Sequence, residues 1–244
     1  MTDAFATHRR RNRIGLPWVV FSALAIAGLS TGPYLTATLA RLAEQDTGLA
    51  AGYVHRPLPV QLAFYAHLAF ATVALVTGPA QFSVRLRARA PRLHRVLGRC
   101  YLGCVAVGAA AALVLAPFNT AAVVGFFGFG ALAVLWAYTG WRALAAIRGR
   151  DLPAHRAWMI RNFALTYAGV TLRLWLPVLI AGQLLLGANG DTFAAAYAAV
   201  PFLCWLPNLV VAEWLIRRRG LPGYRIGPPA GADRQPGCDC GRLS

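Results

Sequence analysis

The sequence predicts an all-α protein that crosses a membrane six times. Hydrophobic residues make up 58% of the 244 residues and charged residues only 13%, whereas soluble domains carry about 25% charged residues. Apolar runs of about 20 residues, each long enough to span a bilayer, recur along the chain. We therefore expect a six-helix transmembrane domain (residues 16–219) between a basic cytoplasmic N-terminus (residues 1–15) and a disordered Gly/Pro-rich cytoplasmic tail (residues 220–244).

The six spans are predicted from apolar runs bounded by charged or turn-forming residues, with spans two to five as the core and spans one and six flanking it. The first run is too long for a signal peptide and lacks a cleavage-like end, so it is expected to be retained. Its Gly28 and Gly32 permit close helix packing. Pro201 and Pro207 predict a kinked sixth span whose freed carbonyls find partners within the bundle. The predicted spans cover residues 16–40, 61–82, 99–116, 121–147, 162–186 and 192–216.

Charge is distributed unevenly along the chain. The net charge is +16, and every basic residue is an arginine. All of the arginines except Arg41, Arg56 and Arg173 belong to the N-terminus, to the segments around the loops after spans two and four, or to the tail and the span end before it. The positive-inside rule explains this pattern better than nucleic-acid binding does, so no nucleic-acid partner is expected. It predicts cytoplasmic termini, a bacterial inner-membrane location, and anionic lipid headgroups at the basic loops.

A polar stripe is predicted along the fifth span. His155 and Arg173 are five helical turns apart and point the same way, with Asn162 and Thr166 close to the same line. An arginine within the bilayer costs about 2.5–3.5 kcal/mol on insertion scales, which by default suggests a functional site. Both a structural network and ligand binding explain such a residue.

Span six supplies the expected partners of Arg173. Glu213 is the only acid within a predicted span, and Asn208 shares with Pro201 and Cys204 a helical face that is expected to point to the bundle interior. We expect Arg173 to face the bundle interior with Asn208 or Glu213 nearby, because a guanidinium in hydrocarbon has five donors and no water. His67, in the outer half of span two, is interpreted as a packing residue, a ligand or a proton relay.

Two similar segments, HRVLGRCYL and HRAWMIRNFAL, begin the third and fifth spans. They place His94 and His155 at the same depth, at the cytoplasmic ends of two helices. Two neutral imidazoles can ligate a b-type haem, and arginines can pair with its propionates. The alternative is that both histidines bond water or headgroups, and that the second arginine of each segment, Arg99 or Arg161, anchors lipid phosphate. The leading hypothesis is a membrane redox protein that binds one b-type haem between the cytoplasmic ends of spans three and five. Its candidate cofactor-binding residues are His94, His155, Arg95 and Arg156.

Two other classes of function remain open. A transporter or channel for a small anionic or polar solute would use the charge of Arg173, with Asn208, Thr166 and His67 along the path. A membrane scaffold would use the polar stripe only to hold helices together. No soluble catalytic motif is found, so no catalytic residue is assigned, and the cysteines, including Cys238 and Cys240 in the tail, show no paired zinc spacing.

Several motifs together resemble a known family. They are a histidine in span two, the HRxLGRxYL segment, the segment HRAWMIRNFALTYAGVTLRLWLP and the terminal WLPNLVVAEW. Over residues 57–219 the chain resembles the uncharacterised multi-pass membrane family numbered 2306 among domains of unknown function. The helix pattern is also loosely similar to that of four-helix b-type cytochromes, although this chain lacks their second histidine pair. The resemblance implies a membrane bundle and no activity.

Overall fold

The structure is a computed structural model that describes residues 3–45, 49–188 and 190–223. The side chains of the basic N-terminus, the tail from residue 224 and the Cys238/Cys240 pair lie outside the described residues. The described part is helical and contains no strand. Its α-helices are Asp3–Thr36 (α1), Leu39–Glu44 (α2), Ala50–Tyr53 (α3), Leu58–Thr77 (α4), Val84–Arg89 (α5), Pro91–Leu115 (α6), Ala122–Arg148 (α7), Leu152–Thr166 (α8), Ala168–Leu185 (α9), Thr192–Leu203 (α10) and Leu206–Arg218 (α11).

Six helical stretches of this described part are long and apolar enough to cross a membrane, which confirms the predicted fold class. They are Gly15–Thr36, Leu58–Phe82, Pro91–Phe118, Ala122–Arg148, Leu152–Leu185 and Thr192–Arg218. The third and fifth spans begin earlier than the apolar runs alone indicate, so the segments that carry His94 and His155 are helical. Asp151 explains one of these starts, because its carboxylate accepts the Ala154 backbone N–H at 2.9 Å and caps α8.

The main core lies where spans two to six meet. Tyr101 and Val105 of α6, Trp136 of α7 and Trp158 of α8 are buried there. Val200 of α10 belongs to the same cluster, so span six is part of the core and does not merely flank it. Close approach depends on glycine: a Cβ on Gly108 would lie 3.1 Å from the Trp136 ring.

Spans five and six are each divided into two helices. Span six breaks between α10 and α11 at Cys204 and Trp205, beside the two prolines, so the predicted kink is confirmed. Its freed carbonyls do find partners: the Trp205 indole N–H donates to the Pro201 carbonyl at 2.7 Å. Span five, predicted as one continuous helix, breaks at Tyr167 between α8 and α9.

A second, smaller core lies at the opposite end of the bundle from His94 and His155. The short helices α2 and α3 lie between spans one and two, where the sequence predicted only a loop. Tyr53 stacks on Phe64 with the ring centroids 4.7 Å apart, and Leu115 packs into the same cluster. Burial raises the pKa of Tyr53 to about 12, so this phenol is neutral at physiological pH and serves as packing surface.

The glycine pair of span one does not form a close helix contact. No atom would lie within 4 Å of a Cβ built on Gly28 or Gly32. Span one instead joins the bundle through hydroxyl groups, because the Thr31 and Thr72 side chains bond at 2.7 Å and Ser22 bonds the Tyr167 hydroxyl at 2.7 Å.

Candidate functional site

A buried hydrogen-bond network joins spans three, four and five at the centre of the bundle. The Tyr101 hydroxyl donates to the Asn162 side-chain oxygen at 2.6 Å and lies 2.8 Å from the Thr166 hydroxyl. The Trp136 indole N–H donates to that Thr166 oxygen at 2.8 Å. The Asn162 amide donates to the Thr139 hydroxyl at 2.8 Å. The prediction that Asn162 and Thr166 face the interior is therefore confirmed.

This network uses the Thr166 hydroxyl fully. Its oxygen accepts from Trp136, lies 2.8 Å from the Tyr101 hydroxyl and lies 3.0 Å from the Asn162 backbone carbonyl. Its single proton serves one of the last two contacts, so Thr166 offers no donor to a partner outside the network. Buried polar groups with their bonds made hold their geometry rigidly, since breaking one bond strands its partner.

Thr166 also borders a cavity of about 100 Å³ between spans one, two and five. Its polar lining includes three residues that the sequence singled out for a solute path, namely His67, Thr166 and Arg173. The fourth, Asn208, is not among the residues that line it. The lining residues are Ile26, Ala27, Ser30, His67, Leu68, Ala71, Thr72, Leu75, Thr166, Gly169 and Arg173.

His67 is held in the cavity wall by its neighbour in span three. Its Nδ1 lies 2.9 Å from the Gly108 carbonyl oxygen. A carbonyl oxygen can only accept, so Nδ1 carries the proton, and the neutral ring keeps Nε2 as an acceptor. The edge of the ring also meets Trp136, with ring centroids 6.4 Å apart. The tautomer of His67 is thus set by the fold.

Arg173 lines the cavity and is exposed at its edge. Its guanidinium donates to the Gly169 carbonyl of its own helix at 2.8 Å. The expectation that Asn208 or Glu213 lies beside it is wrong. Asn208 instead donates to the Thr171 hydroxyl at 3.0 Å and to the Ala164 carbonyl at 3.1 Å, and so fastens span six to the break in span five.

Glu213 pairs with Arg161. The Arg161 Nε donates to one carboxylate oxygen at 2.5 Å and the Nη2 to the other at 2.9 Å, a bidentate arrangement. Arg161 is 2% exposed, and its guanidinium lies over the Trp158 ring, 4.7 Å from the centroid. The alternative role of Arg161 as an anchor for lipid phosphate is therefore wrong, because this side chain lies inside the bundle.

His94 and His155 lie near the starts of α6 and α8. The His155 Nδ1 donates to the Ala143 carbonyl at 2.8 Å, which leaves its Nε2 without a proton in the neutral ring. The Nδ1 of His94 is buried and has no hydrogen-bond partner among the described residues, and the same holds for the side-chain nitrogen of Gln81. Arg95 and Arg156, which follow the two histidines, are exposed.

Comparison with known proteins identifies the family. The pattern of domain of unknown function 2306, described as a predicted membrane protein, matches residues 64–216. The chain belongs to this family. The match confirms the resemblance seen in the sequence motifs, and it includes His67, Tyr101, Thr166 and Arg173. No curated protein and no solved structure matches the chain.

In this member of family 2306, sequence reasoning missed two polar groups of the interior. Ser30 was not singled out, because one hydroxyl in an apolar span shows no pattern. Its Oγ is buried beside the cavity and has no hydrogen-bond partner within the part of the chain that the structure describes. Arg161 was assigned to the lipid interface, although its depth, close to that of Glu213, was a usable signal.

Proposed function

We propose that this protein binds a small anionic solute in the cavity between spans one, two and five, and carries it across the membrane. The observation that supports the proposal is the cavity lining: Arg173 brings a positive charge, and no carboxylate is among the described residues that line the cavity with it. A cation in a low-dielectric site without a negative partner favours an anion as its complement.

Arg161 and Arg173 differ in their hydrogen-bond partners, and this difference supports a ligand site at Arg173. Both arginines are in span five, but Arg161 has a bidentate carboxylate partner. Arg173 donates instead to a neutral carbonyl of its own helix. An arginine used only to hold helices together would be paired as Arg161 is, since an unpaired charge in a membrane is costly. The geometry of Arg173 leaves most of its donors available to a ligand.

The test uses purified full-length protein in proteoliposomes. Counterflow of a panel of small radiolabelled carboxylates and inorganic anions would be measured for the wild type, Arg173→Gln and Arg173→Lys. We expect uptake above empty vesicles for at least one small anion. It should fall to background in Arg173→Gln and recover only in part in Arg173→Lys, because lysine retains the charge but not the planar fork of donors.

Arg148→Gln is the matched control. Arg148 is exposed at the end of α7 and lies outside the cavity lining, so its variant should keep wild-type uptake. The proposal is overturned if no anion is taken up, or if Arg173→Gln transports as well as the wild type. The first result would favour the scaffold interpretation, in which the polar interior only joins helices.

A second candidate function is binding of one b-type haem by His94 and His155, with Arg95 and Arg156 near the propionates. The observation that favours it is the anchoring of His155: its Nδ1 bonds a carbonyl, which is the arrangement that orients a ligating imidazole through its Nε2. Bound haem would supply one-electron redox chemistry. These residues would hold it, orient it and neutralise its carboxylates.

Absorption spectroscopy tests this second candidate. Protein purified from haem-supplemented cells should show a Soret band and reduced α and β bands, and either His94→Ala or His155→Ala should remove them. His55→Ala, at an exposed histidine outside the bundle interior, should not. A colourless wild-type protein would end this interpretation and leave the anion proposal untouched.

A further inference from the structure

The donors and acceptors around the cavity define the class of anion further. This inference rests on the proposed function and concerns the same site. Arg173 supplies N–H donors and positive charge at one part of the wall. His67, at another part, has its Nδ1 proton engaged on the Gly108 carbonyl, which leaves Nε2 as an acceptor. The cavity therefore presents a cation to one part of a ligand and a hydrogen-bond acceptor to another.

Ser30 adds a group that can bond either way. Its hydroxyl is buried and has no hydrogen-bond partner in the described structure, and it lines the cavity from span one. Leaving a buried polar group without a partner is unfavourable, so a ligand that bonds Ser30 gains from the pairing. Thr72, which also lines the cavity, already bonds Thr31 at 2.7 Å.

The volume limits the size of the ligand. An apolar cavity of about 150 Å³ accommodates benzene, which has six heavy atoms. A cavity of about 100 Å³ accordingly holds about four or five heavy atoms. Because Arg173 is exposed at the edge of the cavity, this number describes the part of a ligand that the walls enclose.

We propose that the preferred solute is a small anion that also carries its own hydrogen-bond donor, of the class of short hydroxycarboxylates. Its carboxylate pairs with Arg173, and its hydroxyl donates to the His67 Nε2. A simple carboxylate of the same size leaves this acceptor without a partner in the ligand. Sites built to bond a hydroxyl reject analogues that lack it for this reason.

Glycolate and propionate test this inference directly, because both are monocarboxylates of five heavy atoms that differ by a hydroxyl in place of a methyl group. Inhibition of anion counterflow by each would be measured with the full chain in proteoliposomes. We expect glycolate to compete about fivefold to tenfold more strongly than propionate, the effect of about one hydrogen bond.

Two cavity variants examine the acceptors. His67→Phe keeps a planar ring and removes Nε2, and it should bring the glycolate-to-propionate ratio towards one while propionate still competes. Ser30→Ala is a smaller change that tests the same ratio if His67→Phe fails to fold, as judged by its melting temperature. His55→Phe, at an exposed histidine, is the matched control and should keep the wild-type ratio.

The outcomes separate this inference from the proposed function. If no anion is taken up or competes, the proposed function itself fails. If anions compete but glycolate and propionate do so equally, the anion site stands and its preference for a donor-bearing solute is overturned. A wild-type preference that survives both His67→Phe and Ser30→Ala also overturns the assignment of these groups as the acceptors.

Discussion

Arg161 and Glu213 pair because they lie at similar depths in the membrane. Arg161 is nine residues into the span that starts at Leu152, about 13 Å at 1.5 Å per residue. Glu213 is five residues from the C-terminal end of its span, about 8 Å, and the start of span five lies on the same side as that end. Arg173 is 21 residues into span five, about 30 Å from its start. Depth therefore excluded Arg173 as the partner of Glu213, and the helical wheel alone did not reveal this.

Glu213→Gln should destabilise the bundle, because it leaves the Arg161 guanidinium buried without its counter-charge. Breaking a buried pair costs about 3–5 kcal/mol, and the partial exposure of Glu213 places the expected loss near the lower end. Thermal unfolding in detergent measures it. Glu44→Gln, at an exposed acid, should melt as the wild type does, and an unchanged melting temperature in Glu213→Gln would contradict the account.

Tyr101→Phe should cost about 1–3 kcal/mol, because it removes the hydroxyl that joins Asn162 and Thr166 and strands the Asn162 oxygen in the core. Tyr65→Phe is the matched control, since the Tyr65 hydroxyl lies outside this network. We expect Tyr101→Phe to melt at a lower temperature than Tyr65→Phe. Equal melting temperatures would mean that the Tyr101 bonds add nothing to stability.

The buried polar residues of the centre were predictable one helix at a time. Asn162 and Thr166 fell on the polar side of a helical wheel, and both are buried. Their partners Trp136 and Tyr101 lie on other helices, 26 to 65 residues away in sequence. Which faces of two helices meet depends on packing, and a single sequence contains no direct record of it.

At the scale of the helices, proline explains one break and not the other. Pro201 and Pro207 flank the break in span six, as predicted. In span five, Pro177 lies inside α9 and the break is ten residues earlier, at Tyr167. Near it, Thr171 donates to the Cys204 carbonyl at 2.5 Å and accepts from Asn208. Hydrogen bonds therefore join the two breaks, and only the packed structure reveals this arrangement.

Gly128→Ala should push α7 away from α10. A Cβ at this position would lie 2.5 Å from the Pro201 Cβ and 2.9 Å from its backbone, and backbone cannot rotate aside. Overpacking of this kind costs about 1–3 kcal/mol, so the melting temperature should fall.

Gly130→Ala on the same helix is the matched control. Its new Cβ would meet Ala116 at 3.9 Å, an ordinary contact, and alanine favours the helix over glycine by up to about 1 kcal/mol. This variant should be as stable as the wild type or more so. If the two alanine variants melt at the same temperature, the contact at Pro201 does not limit packing.

For the whole molecule, span number followed from hydropathy, because a bilayer demands long apolar helices with every backbone bond made internally. The six predicted runs match the six structural spans. The second core around Tyr53 and Phe64 was not predicted, since α2 and α3 are too short to show a periodic pattern. The existence of the cavity could not be predicted from the sequence either, although three of its polar lining residues were identified there.

The distribution of charge between the loops predicts the orientation of the molecule in the membrane. The loop at residues 83–90 contains three arginines and no acid, whereas the connection at 186–191 contains one aspartate and no arginine. The positive-inside rule then places the first loop in the cytoplasm and the second outside, with both termini inside. Green fluorescent protein and alkaline phosphatase would be fused after residues 90 and 190. We expect fluorescence only at the first and phosphatase activity only at the second. Replacing Arg85, Arg87 and Arg89 with glutamine should weaken this bias, and phosphatase activity after residue 90 in the unmodified chain would reverse the topology.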